Sequence, residues 1–271
     1  MNRLLAFVHI EKAAGTTLLY LLRRNWLGRY LDVRPMAAHG EPNLLTADDL
    51  RTLRRVNPAL RVIGGHAVVP HSNLAEAAPG IRYITLLREP HARYVSQFRY
   101  WNRAMGKDWS FERFLDHEKA FNFQTRKLCG TEDVDRAYHA LETQFIAVGL
   151  VEHFERFLVE LTAALKPERF DPRYRERNVG RSDSDEFKKL MDRFGDEIRE
   201  RNSLDAALYR RVSEELLPSR AERYEGDHAA DHADSDHDDG HHHHGGPPAG
   251  GWEARNWRGG ESTWFMLGPI L

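Results

Sequence analysis

Short apolar runs alternate with longer stretches of helical period along most of this chain. The runs are Leu4 to Ile10, Arg61 to Gly65, Arg82 to Leu87 and Phe145 to Gly149, each followed by turn residues or a helix start. Short, nearly continuous apolar runs suit strands buried on both faces, as in a parallel sheet covered by helices. Leu18, Leu19, Leu21 and Leu22 put a helix directly after the first run, and Tyr94, Val95, Phe98 and Trp101 mark a second. A third carries Phe154, Phe157, Leu158, Leu161 and Leu165 on one apolar face. Glu186 to Leu217 predicts one or two further amphipathic helices, ending at Pro218. The pattern as a whole predicts an α/β fold with a central parallel sheet flanked by helices.

After Tyr224 the composition changes abruptly to His, Asp, Gly, Ala and Pro. Such a segment buries too little apolar surface to offset the entropy of ordering, so disorder is expected to about Gly251. The chain therefore divides into a body at 1–224, a low-complexity linker at 225–251 and a short aromatic segment at 252–271 containing Trp252, Trp257 and Trp264. His228, His232, His237 and His241 to His244 fall in the linker. Imidazoles among carboxylates can bind metals, but a flexible tail offers no fixed geometry, so no metal ligand is assigned.

With 271 residues, 41% of them apolar, the chain can bury the core of one large α/β domain. The net charge of −2 conceals a split, because residues 1–224 hold 37 Lys and Arg against 32 Asp and Glu, a net of +5. That excess suits an anionic ligand without identifying one, and no nucleic-acid partner is expected. Cys129 is the only cysteine, which excludes an intrachain disulfide and points to the cytoplasm. Leu4 to Ile10 is too short for a membrane span and lacks a signal-peptide cleavage pattern.

Two segments carry the chemistry. Phe7 to Leu18 runs from strand through a small-residue turn into a helix, with Lys12, Ala13, Ala14, Gly15, Thr16 and Thr17 at the bend. A turn of this kind aims backbone N–H groups and a positive helix end at one point, where an anion can sit. Lys12 adds a mobile charge, and Thr16 and Thr17 offer hydroxyls to phosphate oxygens or to the helix N-cap. A nucleotide triphosphatase loop would need Lys after the glycine, whereas Lys12 precedes Gly15. The second segment, Ile84 to Ser96, again runs from strand to helix, with Pro90 at the helix start. Arg88 at the strand end and Ser96 about two turns on could grip one phosphate together.

With both segments in order, the sequence resembles the sulfotransferases, in particular the branch that includes the uronyl 2-O-sulfotransferases and their bacterial relatives. The resemblance implies a P-loop-like sulfotransferase fold and 3′-phosphoadenosine 5′-phosphosulfate as donor, with no metal required. It implies that Lys12 to Thr17 hold the 5′-phosphosulfate and that Arg88 and Ser96 hold the 3′-phosphate. Asn122 to Gly130 resembles the acceptor-side segment, giving Gln124 and Arg126 as acceptor contacts. Asn202, Asp205, Leu208 and Tyr209 resemble the closing helix. Glu11 stands where relatives often have Pro, its side chain expected to point to solvent.

Sulfuryl transfer to a hydroxyl needs a base for the acceptor proton and positive charge for the departing oxygen. Lys12 is the expected charge stabiliser. His66 directly follows the Arg61 to Gly65 run, so it lies at the carboxyl edge where α/β sheets place their sites, and it is the candidate base. The branch it resembles has a second His two residues earlier, where this chain has Gly64. His9, within the first run, is expected to be a satisfied core histidine, and Cys129 a buried small hydrophobe. Asn178 and Arg181 lie in a polar, glycine-containing loop that could close over the nucleotide. The expected acceptor is a hydroxyl on a saccharide or glycolipid. Two other readings are an ATP- and Mg²⁺-dependent phosphotransferase or nucleotide hydrolase, and a non-catalytic nucleotide- or metal-binding protein.

Overall fold

The computed structural model describes residues 3–33, 37–38, 41–42, 44–174 and 183–222. The expectations for Asn178, Arg181, the linker at 225–251 and the segment at 252–271 lie outside the described residues. In chain order the larger elements are β1 (Leu5–Val8), α1 (Gly15–Asn25), β2 (Tyr30–Asp32), β3 (Ala37–Ala38), β4 (Glu41–Pro42), α2 (Ala47–Val56), β5 (Val62–Gly65), β6 (Arg82–Leu87) and α3 (Pro90–Arg103). They continue with α4 (Phe111–Leu115), α5 (Phe123–Cys129), α6 (Val134–Gln144), β7 (Phe145–Leu150), α7 (Phe154–Ala164), α8 (Asp183–Arg201) and α9 (Ser203–Arg211).

Five strands form one sheet in the order β2-β5-β1-β6-β7, with every neighbouring pair parallel. β1 is central. Its alternate side chains enter different cores: Leu5 and Phe7 pack with α1 and α7 residues such as Leu18 and Phe157, while Ala6 and Val8 pack with Leu128, Leu141 and Leu208 from α5, α6 and α9. Burial on both faces is why these strands read as continuous apolar runs rather than alternating ones. A satellite core joins α3, α4 and α8 through Tyr94, Phe111, Phe114 and Ile198.

The chain leaves β1 toward β2 and β5 on one side, then crosses to β6 and β7 on the other. The carboxyl end of β1 is thus a topological switch point, where loops part and leave a crevice. Two devices set the backbone there. After β5 the chain bends at Gly65, where φ is 142° and an added Cβ would stand 2.0 Å from the Val33 carbonyl oxygen, so only glycine fits. After β6 the chain enters α3 through Glu89, whose carboxylate accepts from the His91 and Ala92 backbone N–H groups, with Pro90 in the first turn.

The four expected strands and the helices after them are present. β2 escapes the apolar pattern because it is a three-residue edge strand of half-buried residues. The last helical region does not stop at Pro218, since helix continues through residue 222. A π-helical turn at Val212–Leu216 directly precedes the proline, and Leu217 N–H donates to the Val212 carbonyl. A proline inside a helix cannot donate its backbone bond and crowds the preceding turn, and a π turn beside it is one of the irregularities that accommodates it.

Candidate functional site

Three adjacent strands deliver the site: β5 leads into His66, β1 continues through His9 into the loop before α1, and β6 leads into Arg88. The loop turns through two left-handed residues, Lys12 at φ 66° and Ala14 at φ 51°. Ala14 is the N-cap of α1, with no side-chain capping bond and no acid in the first helical turn. Thr16 and Thr17 therefore do not cap this helix, and among the described residues no side chain caps its N-terminus. An anion fits that end by hydrogen bonding and by the helix dipole.

Gly15 is fixed by packing. A Cβ there would stand 1.7 Å from His9 Nε2, and the His9 ring is held in a stack between Phe7 at 5.4 Å and His66 at 4.2 Å. Gly15→Ala is expected to cost about 2 kcal/mol of stability by overpacking. The lowered urea midpoint would be accompanied by a displaced loop and weaker anion binding.

Arg88 turns back toward the loop, its Nη1 donating to the Lys12 carbonyl at 3.1 Å. The Lys12 ammonium rests 4.3 Å from the Tyr100 ring centroid of α3. A cation–π contact beside a partly exposed ring is worth only about 1 kcal/mol, so it does not hold the lysine against a stronger anion. Ser96 is half-buried along the same helix.

His66 lies on the other side of β1. Its Nδ1 is buried, makes no hydrogen bond among the described residues, and faces Glu11 Oε1 at 3.8 Å. Burial pushes its pKa below the ordinary value; Glu11 opposes this, Lys127 adds to it, and Asp32 and hydrogen bonding to the His9 backbone oppose it. His9 is held down to about 3 by burial first and then by His66, Lys127 and Lys12, so it is neutral at ordinary pH. Lys127 is lowered to about 8 by burial, against the pull of Glu11.

Helix α5 braces both halves of the site. Gln124 is fully buried, and its amide pairs twice with the Arg88 backbone: Arg88 N–H donates to Oε1 at 3.0 Å and Nε2 donates to the Arg88 carbonyl at 2.9 Å. One turn on, the Lys127 ammonium donates to the His66 carbonyl. Residues three apart share a helix face, so one helix fixes the ends of β5 and β6 together. The helix is itself locked by exchange of caps with α9. Asp205 accepts from the Gln124 and Thr125 N–H groups and the Thr125 hydroxyl, while Asn122 Oδ1 accepts from the Leu204 and Asp205 N–H groups.

These contacts revise several expectations. Gln124 is not an acceptor contact, because it is sealed from solvent and both ends of its amide are engaged with Arg88. Arg126 donates to the Glu118 carbonyl at 2.6 Å and lies 3.9 Å from Glu132, which ties it to the segments on either side of α5. Glu11 does not simply point to solvent, since it faces His66. His9 is buried as expected but is not a satisfied core residue, because its Nδ1 finds no partner among the described residues. Cys129 is buried in the core. Lys127 carried no sequence signal of its own, as a lysine on an amphipathic helix usually covers a solvated face.

No family model and no curated protein matches the chain. Among solved structures, a sulfotransferase from Alicyclobacillus acidocaldarius aligns at 15% identity with a TM-score of 0.43, over 77% of this chain and 97% of its own. The mouse sulfotransferase SULT7A1 complexed with PAP aligns at 16% identity with a TM-score of 0.40, over 70% of this chain and 63% of its own. Likenesses this distant carry no argument about chemistry, which rests on the site's own residues. Among the described residues, no helix is long and apolar enough to cross a membrane.

Proposed function

We propose that the chain is a sulfotransferase that transfers a sulfuryl group from 3′-phosphoadenosine 5′-phosphosulfate to an acceptor hydroxyl on a saccharide or glycolipid. The observation that carries this reading is the meeting of three strand ends at one switch point. A lysine and a strand-end arginine stand on one side of β1, an imidazole with a lowered pKa stands on the other, and the N-terminus of α1, without a side-chain cap, follows β1 itself. The first set suits a ligand with phosphates at both ends, and the second suits removal of a proton from an alcohol near neutral pH.

In this reading the α1 amides and Lys12 hold the 5′-phosphosulfate, and Arg88 and Ser96 hold the 3′-phosphate. When bound, the donor supplies a sulfuryl group whose bond to the phosphate oxygen breaks as the acceptor oxygen bonds to sulfur. His66 accepts the acceptor's proton. Lys12 leaves the Tyr100 ring to neutralise charge on the departing phosphate oxygen. The cytoplasm is the proposed location, in line with the single buried cysteine.

Adenosine 3′,5′-bisphosphate without metal is expected to raise the melting temperature. At a hundredfold excess over Kd the stabilisation is about 2.7 kcal/mol, or roughly 5–10 °C for a domain of this size. Arg88→Ala should weaken that binding by about tenfold to a hundredfold, the loss of one charge-assisted phosphate grip. Protection by ATP with Mg²⁺ and not by the bisphosphate would replace this reading with a phosphotransferase.

A further inference from the structure

Glu11 and His66 form an acid–imidazole pair across the loop and the end of β5. The His66 Nδ1 is sealed from solvent, has no hydrogen-bond partner among the described residues, and has the Glu11 Oε1 at 3.8 Å. One face of the imidazole is stacked on His9 at 4.2 Å. The backbone of His66 is fixed from below by Lys127. The remaining freedom is rotation of the ring and choice of tautomer, which a carboxylate beside Nδ1 controls.

We propose that Glu11 is the positioning residue of His66: its carboxylate draws the ring proton to Nδ1, leaves Nε2 as the basic nitrogen and stabilises the imidazolium formed when Nε2 takes the acceptor proton. This rests on the reading of His66 as the base. The proton moves from the acceptor oxygen to Nε2, and the resulting positive charge lies between Glu11 on one side and neutral His9 on the other. The groups that act on the ring are His9, through its stacked ring and hydrogen bonding to its backbone, Glu11 from the loop, Asp32 from β2 and Lys127 from α5. Glu11 and Asp32 favour the charged ring, and Lys127 disfavours it. His9 is held neutral by its own burial, so of the two stacked rings His66 is the one left to take the acceptor proton.

The position of Glu11 in the chain gives the pair a second consequence. The carboxylate is carried by the same turn whose amides face the anion, one residue before Lys12. The loop that holds the donor therefore also holds the group that orients the base, and a shift of the loop acts on both. With the two side chains 34% and 35% exposed, solvent screens the attraction. One charge at this separation then alters a protonation equilibrium by roughly tenfold rather than a thousandfold.

The test is a pH titration of the imidazole signals in proton–nitrogen correlation spectra of the full chain, with the His66 signal identified by its loss in His66→Asn. In Glu11→Gln the His66 midpoint is expected to fall by about one pH unit, with a smaller share of the Nδ1-protonated tautomer. Glu11→Asp, which keeps the charge on a shorter arm, should recover part of both. The acid limb of the transfer rate should move down with the midpoint, and kcat should fall about tenfold. An unmoved midpoint and tautomer in Glu11→Gln would overturn the inference, whatever happens to donor affinity. The spectra need no turnover: a shifted midpoint in a protein without transfer activity would refute the proposed function alone, and active transfer with an unmoved midpoint would refute only the role of Glu11.

Discussion

His66→Asn is expected to lower the transfer rate by about a hundredfold to ten-thousandfold, the usual contribution of a positioned general base. Adenosine 3′,5′-bisphosphate should still protect the variant from thermal unfolding, because His66 stands across β1 from Arg88, which holds the Lys12 carbonyl. The pH profile of the unsubstituted protein carries the same signature. The base must be neutral to accept a proton, and burial holds His66 below the ordinary value of 6.5. Activity is therefore fully present at neutral pH and is lost on acidification only below that ordinary value. Single-turnover rates across pH measure both effects. A variant with the full rate would remove His66 from the mechanism and leave the donor site intact.

Asp205→Ala is expected to be the most destabilising of the substitutions considered, by about 3–5 kcal/mol. The carboxylate is completely buried and accepts three hydrogen bonds, at 2.8–3.0 Å, from Gln124 and Thr125. Alanine leaves two amides and a hydroxyl buried without acceptors, each costing on the order of 1–3 kcal/mol before relaxation. The damage should also reach the donor site. Asp205 caps α5, α5 holds the Arg88 backbone through Gln124, and Arg88 holds the loop at the Lys12 carbonyl. Urea unfolding gives the stability loss, and bisphosphate titration gives a weakened affinity in a variant that never touches the ligand. Asp205→Asn, which keeps one acceptor oxygen, should fall between the two. Normal bisphosphate affinity in a folded Asp205→Ala protein would break this line of support.

The sheet was legible in the sequence because its inner strands are buried on both faces. Leu4 to Ile10, Arg61 to Gly65, Arg82 to Leu87 and Phe145 to Gly149 each contain a strand of the sheet. The edge strand β2 was not legible, since three half-buried residues leave no periodic signal. Pro218 misled for a local reason, as the rule that proline ends a helix does not foresee a π turn placed before it.

The candidate site divides in the same way. Lys12 to Thr17 and Arg88 could be read from the chain, because a turn between strand and helix is a local arrangement and its small residues, lysine and strand-end arginine are adjacent in sequence. What faces them from other elements could not. Gln124 looked like a polar contact on a helix surface, yet Asp205 from α9 and the Arg88 backbone from β6 bury it as a brace. His9 looked like core, and it became part of the site only when β5 was laid beside β1 so that His66 stacked on it. Lys127 and Glu11 acquired their roles from the same juxtaposition, being far apart in sequence and brought together around His66. The sequence by itself determined four of the five sheet strands, the small-residue turn after β1 and the identity of its charges, all set by residues within a few positions of one another. Tertiary structure alone decided that His9 is neutral, that Glu11 faces His66 and that α5 holds both strand ends. Those properties depend on burial and on charge at short distance, and both arise only when separate elements pack together.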